Sequence, residues 1–332
     1  MQLKRLAPIE AESQPLDLCE IPIPHPAPGE VRLRVRACGV CHTELDEIEG
    51  RTPPPNLPVV PGHEVVGTVD EVGANVTRFK IGDRLGVGWI HSSSGSEHEN
   101  LDDTFVATGR DVNGGYAEYM TVPASYAYPI PVQFTDEQAA PLLCAGGVGY
   151  RALRLSGIGN HQRLGLTGFG GSAHIVLQLA RHLYPDTGIY VFARDEASRV
   201  FALSMGATWA GDTAERAPLP LDAVIDTTPV WKPVVEALPN LRPGGRLIIN
   251  AIRKEDVDID YLTYIRYETH LWLEKEIKTV ANVTANDIAE FLPLAAAARI
   301  EPEVQIYDLA DANVALTELK AGKIRGAKVL KI

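Results

Sequence analysis

The chain has 332 residues, 45% apolar and 22% charged, with a formal net charge of -12 at neutral pH. The length suffices for two ordinary domains, and the acidic balance excludes a general binder of nucleic acid or anionic membrane, which needs a basic face. Four cysteines, Cys19, Cys38, Cys41 and Cys144, are too few and too irregular for a disulfide framework.

Met1 to Arg5 runs into Pro8, Glu10 and Glu12 without an apolar segment, so no signal peptide is expected. No stretch approaches the roughly 18 uninterrupted apolar residues of a membrane helix. With reduced thiols, this predicts a cytoplasmic protein. Prolines cluster at 22–28 and 53–61, which should be loops. Val31 to Ala37 alternates apolar residues with Arg32, Arg34 and Arg36, the period of a half-exposed strand. Val65 to Val72 is a β-branched run ended by Gly73, and Phe79 to Leu85 reads as a turn into a strand. The first 130 residues or so are mainly β.

The pattern changes near residue 135. Asp136–Ala145 and Gly149–Leu155 read as helices. Strands are predicted at Arg163–Thr167, Ile189–Ala193, Leu221–Asp226, Arg246–Asn250 and Lys278–Val283. Helices are predicted between them at Ser172–Leu183 and Glu196–Met205, the second ending at Gly206, a suitable C′ residue. Strands alternating with helices imply a doubly wound parallel sheet and an α/β fold. Helices at Asp287–Ala297 and Asp311–Lys320 are free to return to the first domain. The expected division is 1–148 completed by 288–332, and 149–287.

Gly168-Phe169-Gly170-Gly171-Ser172-Ala173 joins a predicted strand to a predicted helix. Glycines let such a turn approach a pyrophosphate, and the helix N-terminus favours its charge. A glycine-rich turn alone is often a plain loop; its place between strand and helix gives the dinucleotide reading its weight. An NAD site carries an acid at the end of the next strand, for the ribose 2′-hydroxyl. Here that position is Ala193, followed by Arg194. NADP(H) is therefore favoured over NAD(H), with Asp195 as the opposing residue.

Three residues far apart read as one metal shell: Cys41 in Gly39-Val40-Cys41-His42-Thr43, His63 in Gly62-His63-Glu64, and Cys144 in Cys144-Ala145-Gly146. Singly each is poor evidence, since most buried cysteines are inert and a lone histidine is more often structural. Together they form an incomplete tetrahedral zinc set, and an open fourth position is the mark of a catalytic site.

With Asn113-Gly114-Gly115-Tyr116-Ala117-Glu118-Tyr119, these motifs occur in an order that resembles the zinc-dependent alcohol dehydrogenases of the medium-chain dehydrogenase/reductase superfamily. The resemblance covers nearly the whole chain. It implies a GroES-like β domain plus a Rossmann domain, with the active site between them, and a homodimer or homotetramer. It makes Cys41, His63 and Cys144 the ligands of a Zn2+ ion, with Glu64 the acid that can reach the metal. Thr43 becomes the hydroxyl facing the substrate oxygen, His42 the neighbour of the pyrophosphate, and Trp89 and Val148 pocket walls. The implied reaction moves hydride between a small alcohol, aldehyde or ketone and NADP or NAD.

Departures from the family pattern are informative. The segment His91 to Asp102 holds no cysteine where many members bind a second, structural zinc through four. Glu44 replaces the commoner Asp beside the metal. Asp46 stands where a relay histidine is frequent. Other readings are a zinc-free quinone or enone reductase, which would lack the three ligands; a polyol dehydrogenase, which more often has Glu for Cys144; and a non-catalytic nucleotide-binding protein.

Overall fold

The Val–Arg alternation builds the strand that organises the first half of the chain. In β1 (Glu30–Val40), Val31, Leu33 and Val35 are buried while Arg34 and Arg36 face solvent. β1 leads into α1 (His42–Ile48), which is followed by β2 (Val65–Val72), β3 (Arg84–Val87), β4 (Tyr119–Pro123) and β5 (Ala127–Pro129). A computed structural model describes all residues, 1–332.

The expected helix at 136–145 is one α-turn, Asp136–Ala139, continued as a 3₁₀ turn, Ala140–Leu143. Pro141 lacks the N–H that a longer α-helix needs. The next helix, α2 (Ala145–Ser156), starts earlier than its sequence predicts and takes in three glycines, Gly146, Gly147 and Gly149. Packing explains this tolerance. A Cβ at Gly149 would lie 2.6 Å from Val176 and 3.0 Å from Ser172, on the following helix. The close approach of two helices outweighs poor intrinsic propensity.

The alternating region forms β6 (Arg163–Thr167), α3 (Gly171–Leu183), β7 (Gly188–Phe192), α4 (Glu196–Ser204), β8 (Trp209–Gly211), β9 (Leu221–Asp226), α5 (Lys232–Ala237), β10 (Leu241–Ile249) and β11 (Glu276–Thr279). Every neighbouring pair is parallel, in the order β8-β7-β6-β9-β10-β11. This is the doubly wound Rossmann arrangement, with the order reversing at β6. Gly206 ends α4 with a φ of 94°, as a C′ glycine should. Between β10 and β11 lie an irregular 3₁₀ stretch, Asp256–Tyr264, and a π-turn, Tyr267–Leu271.

The chain ends with α6 (Ala285–Ala297), β12 (Val304–Asp308), α7 (Ala312–Lys320) and β13 (Ala327–Lys331). β13 pairs antiparallel with β1, giving the β-rich sheet the order β12-β13-β1-β2-β3-β5, with β4 also on β1. The chain divides into two compact units. One is Met1–Cys144 with Val283–Ala296 and Glu301–Ile332; the other is Ala145–Asn282 with Ala297–Ile300. No helix is long and apolar enough to cross a membrane.

Candidate active site

Cys41 stands at the junction of β1 and α1, as the N-cap of the helix. His63 follows a glycine turn that precedes β2, and Cys144 follows the 3₁₀ turn. The potential ligand atoms of Cys41, His63, Glu64 and Cys144 all lie within 4.8 Å of one another. A zinc tetrahedron with bonds of about 2.0–2.3 Å has edges of roughly 3.3–3.8 Å, so the spacing is compatible. His63 is fully buried, and its imidazole shares a hydrogen bond with Cys41. A buried imidazole beside two thiols is a donor set suited to zinc.

Glu44 ties two of the ligands together. Its Oε2 accepts the Cys41 backbone N–H at 2.8 Å, and its Oε1 lies 2.6 Å from His63 Nδ1. That contact orients the ring, as in the usual carboxylate–histidine–metal arrangement, and would leave Nε2 for a metal. Burial opposes protonation of His63, but the Glu44 carboxylate and the Cys41 sulfur together outweigh it and raise the pKa well above the usual range. Cys41 and Cys144 respond in opposite senses. Hydrogen bonding between them lowers Cys41 and raises Cys144.

The backbone around the ligands is braced by the Asn-Gly-Gly-Tyr motif. Asn113 Oδ1 accepts from Val60 N–H at 2.9 Å, and the N–H groups of Gly114, Gly115 and Tyr116 bond the carbonyls of Val60, Gly62 and Pro61. Gly62 has a φ of 98°, and a Cβ there would meet the Tyr116 ring at 2.4 Å. At Gly39 a Cβ would fall 1.7 Å from the Glu64 carboxylate, so only glycine leaves that acid its place. The sequence motif marked this segment without revealing that it is the support of the His63 turn.

Thr43 is buried, and its Oγ1 accepts from the Cys41 thiol at 3.6 Å. His42, the first residue of α1, is exposed. Asp46 is also buried, and it accepts from Arg51 Nε at 2.5 Å. A carboxylate held by a guanidinium is a structural ion pair first, which weakens its case as a proton acceptor. Trp89 is 8% exposed and packs on Phe105 with ring centroids 5.0 Å apart; Arg110 lies over both rings. Val148 is half-buried, in the first turn of α2. Glu47, which sequence reasoning missed, is buried on α1; burial and the neighbouring Glu44 push its pKa well up.

The Cys-free segment 91–102 is gathered around another carboxylate. Glu99 is 1% exposed and accepts from Tyr126 Oη at 2.6 Å, Gly95 N–H at 3.1 Å and Ala285 N–H at 2.6 Å. Nothing in the local sequence distinguishes Glu99 from its acidic neighbours, because its partners lie far along the chain.

In the Rossmann unit, Gly168 follows β6 with a φ of 75°. Helix α3 starts at Gly171 with Gly170 as its N-cap, and no side chain caps it. A Cβ at Gly170 would meet nothing within 4 Å. An uncapped helix N-terminus behind an open glycine turn is suited to an anionic phosphate. At the end of β7, Ala193 is buried and its carbonyl accepts from Arg199 Nη1 at 2.7 Å. Arg194 beside it is exposed. Asp195 is engaged as the N-cap of α4, accepting from Ser198 N–H at 2.7 Å. Burial would raise its pKa, but the Ser198 hydrogen bonds win and lower it.

Residues 27–132 match the alcohol dehydrogenase GroES-like domain. "Probable alcohol dehydrogenase AdhA" of Mycobacterium tuberculosis is 42% identical over 342 residues, covering 100% of this chain and 96% of that protein. The chain belongs to the zinc-containing medium-chain alcohol dehydrogenase family. Another relative, an alcohol dehydrogenase of Geobacillus stearothermophilus, is 33% identical over 345 residues and 99% of each chain. Among solved structures, a cinnamyl alcohol dehydrogenase of Sorghum bicolor superposes with a TM-score of 0.80 at 25% identity, over 94% of this chain and 92% of that one.

Proposed function

We propose that the protein is a zinc-dependent alcohol dehydrogenase that exchanges hydride between a small alcohol, aldehyde or ketone and NAD(P). The observation that carries this reading is the Cys41–His63–Glu64–Cys144 cluster, whose potential ligand atoms lie within 4.8 Å of one another. Zinc held there supplies Lewis acidity to the substrate oxygen. Cys41, His63 and Cys144 would hold the ion, and Glu64 is near enough to join them. Thr43 Oγ1 passes the hydroxyl proton, since a hydroxyl both donates and accepts. The glycine turn would hold the dinucleotide, which would supply the hydride chemistry. A zinc-free reductase has no use for this ligand set. The assay is the appearance or loss of reduced-nicotinamide absorbance with primary alcohols, secondary alcohols and aldehydes, using zinc-loaded protein. Absence of turnover across that panel would favour a non-catalytic nucleotide-binding protein.

NADP(H) is the proposed cofactor. Ala193 places no carboxylate at the ribose, and Arg194 supplies a planar donor fork suited to phosphate. Asp195 is committed to capping α4, and Arg199 brings a second guanidinium to the strand end. Arg194→Ala should weaken kcat/KM for NADP(H) by roughly tenfold, while NAD(H) changes little. This is the lower end of the worth of a charge-assisted hydrogen bond, because an exposed arginine is screened. Equal efficiency of the unmodified protein with NAD(H) would overturn the assignment.

One zinc per chain is proposed, since segment 91–102 is organised by Glu99 rather than by cysteines. The four free cysteines suit a cytoplasmic setting. A homodimer or homotetramer is proposed from the edge strand β11. Its outer side has no partner strand, and Tyr267, Trp272, Leu273 and Ile277 nearby are each about half exposed. Such an edge is a liability unless another copy covers it. Sedimentation at micromolar concentration should give a multiple of the 36.0 kDa chain mass; a single-chain mass counts against this.

A further inference from the structure

Strand order reverses at β6, which has β7 on one side and β9 on the other. A dinucleotide lies across such a point, one mononucleotide half to each side. Ala193 and Arg194, at the end of β7, mark the adenosine side. The opposite side, at the carboxyl ends of β9 and β10, contains a buried ion pair that the reaction as described does not use.

Asp226 ends β9 and is fully buried; Lys254, in the segment after β10, has a side chain only 7% exposed. The two are bonded directly, and the remaining Nζ donors go to the carbonyls of Thr228 at 2.7 Å and Val230 at 3.0 Å. Asp226 Oδ1 accepts from Thr167 Oγ1 at 2.5 Å and Thr228 Oγ1 at 2.8 Å. Thr167 is the residue before Gly168, and its carbonyl accepts from the N–H and hydroxyl of Thr227 at 3.1 and 2.9 Å. A Cβ on Gly168 would come within 2.9 Å of Thr228. The segment after β10 is laced to the same loop again. Glu255 N–H bonds Pro229 O at 2.6 Å, and the N–H groups of Trp231 and Lys232 reach Asp258 at 2.9 and 2.7 Å.

Burying two charges is costly, and an apolar pair often serves stability as well. What an apolar pair cannot do is fix the carbonyls and hydroxyls of three separate loops in one arrangement. We infer that Lys254–Asp226 is a positioning pair for the nicotinamide half of the dinucleotide. It holds the turn after β6, the loop after β9 and the segment after β10 in register, without spending a donor on the cofactor. The inference rests on the dinucleotide reading above, and its test separates the two.

Zinc-loaded protein is titrated with NADPH and NADH by fluorescence, and with ADP and 2′-phospho-ADP by calorimetry. In Lys254→Met the dissociation constant of the reduced dinucleotide should rise roughly tenfold or more, the scale set by small displacements of positioning groups. Binding of ADP and 2′-phospho-ADP, which lack the nicotinamide half, should stay within about twofold. Lys254→Gln, which keeps two donors, should fall between and decides the matter if the Met variant does not fold. Unchanged dinucleotide binding, or equal loss of dinucleotide and ADP, would overturn the inference, the second by showing that the pair merely holds the domain together. Failure of the unmodified protein to bind either reduced dinucleotide would instead sink the dinucleotide reading itself.

Discussion

Cys41→Ser and His63→Ala are each expected to abolish zinc binding and to lower dehydrogenase turnover by at least roughly 10³-fold. Lewis-acid stabilisation of a reacting oxygen is worth several kcal/mol, and each 1.4 kcal/mol or so is tenfold. Zinc in the unmodified protein should be near one per chain by elemental analysis. The effect should be confined to the β-rich unit, because Gly168, Gly170 and Gly171 belong to the other one. The variants should therefore bind NADPH as the unmodified protein does. His63→Ala also strands Glu44, which is fully buried and loses its partner at 2.6 Å. A drop in thermal stability is thus expected for that variant, beyond the loss of metal. Retention of stoichiometric zinc and turnover by either variant would show that the cluster is not the reaction centre. Zinc near two per chain in the unmodified protein would refute the single-site proposal.

The second large effect is expected at Thr43. Thr43→Ala should lower kcat by roughly 10²-fold or more, the scale of a positioned proton-transfer group. Zinc content should not change, because Thr43 is outside the ligand cluster and its backbone hydrogen bond to Cys41 survives the substitution. Thr43→Ser should restore most of the rate, since it restores the hydroxyl and loses one methyl. Turnover near normal in the Ala variant would place the proton route elsewhere. Asp46 is a poor substitute start for that route, given its pairing with Arg51.

Two kinds of information were legible along the chain, and both are local. The strand–turn–helix around Gly168 follows from period, glycine spacing and helix pattern, which act over a few residues. So does β1, whose Val–Arg alternation needs one buried face and nothing else. The metal residues could be singled out because Cys and His within glycine-containing segments are chemically distinctive. Their gathering within 4.8 Å belongs to the three-dimensional chain, since 22 residues separate Cys41 from His63 and 81 separate His63 from Cys144.

Tertiary structure decided what depends on distant partners. Helix α2 includes Gly149 because the neighbouring helix occupies the space its side chain would fill. Asp195, ambiguous beside Ala193 and Arg194, is drawn to the N–H groups of α4, and only the helix start settles which way its carboxylate faces. Glu99 and the Lys254–Asp226 pair look like ordinary surface charges in a chain with 43 acidic residues. Each is buried and hydrogen-bonded to residues remote in sequence, as the cost of an unpaired buried charge demands. A charge carries no mark of its burial until the fold supplies its partner, so these residues became visible only with the structure.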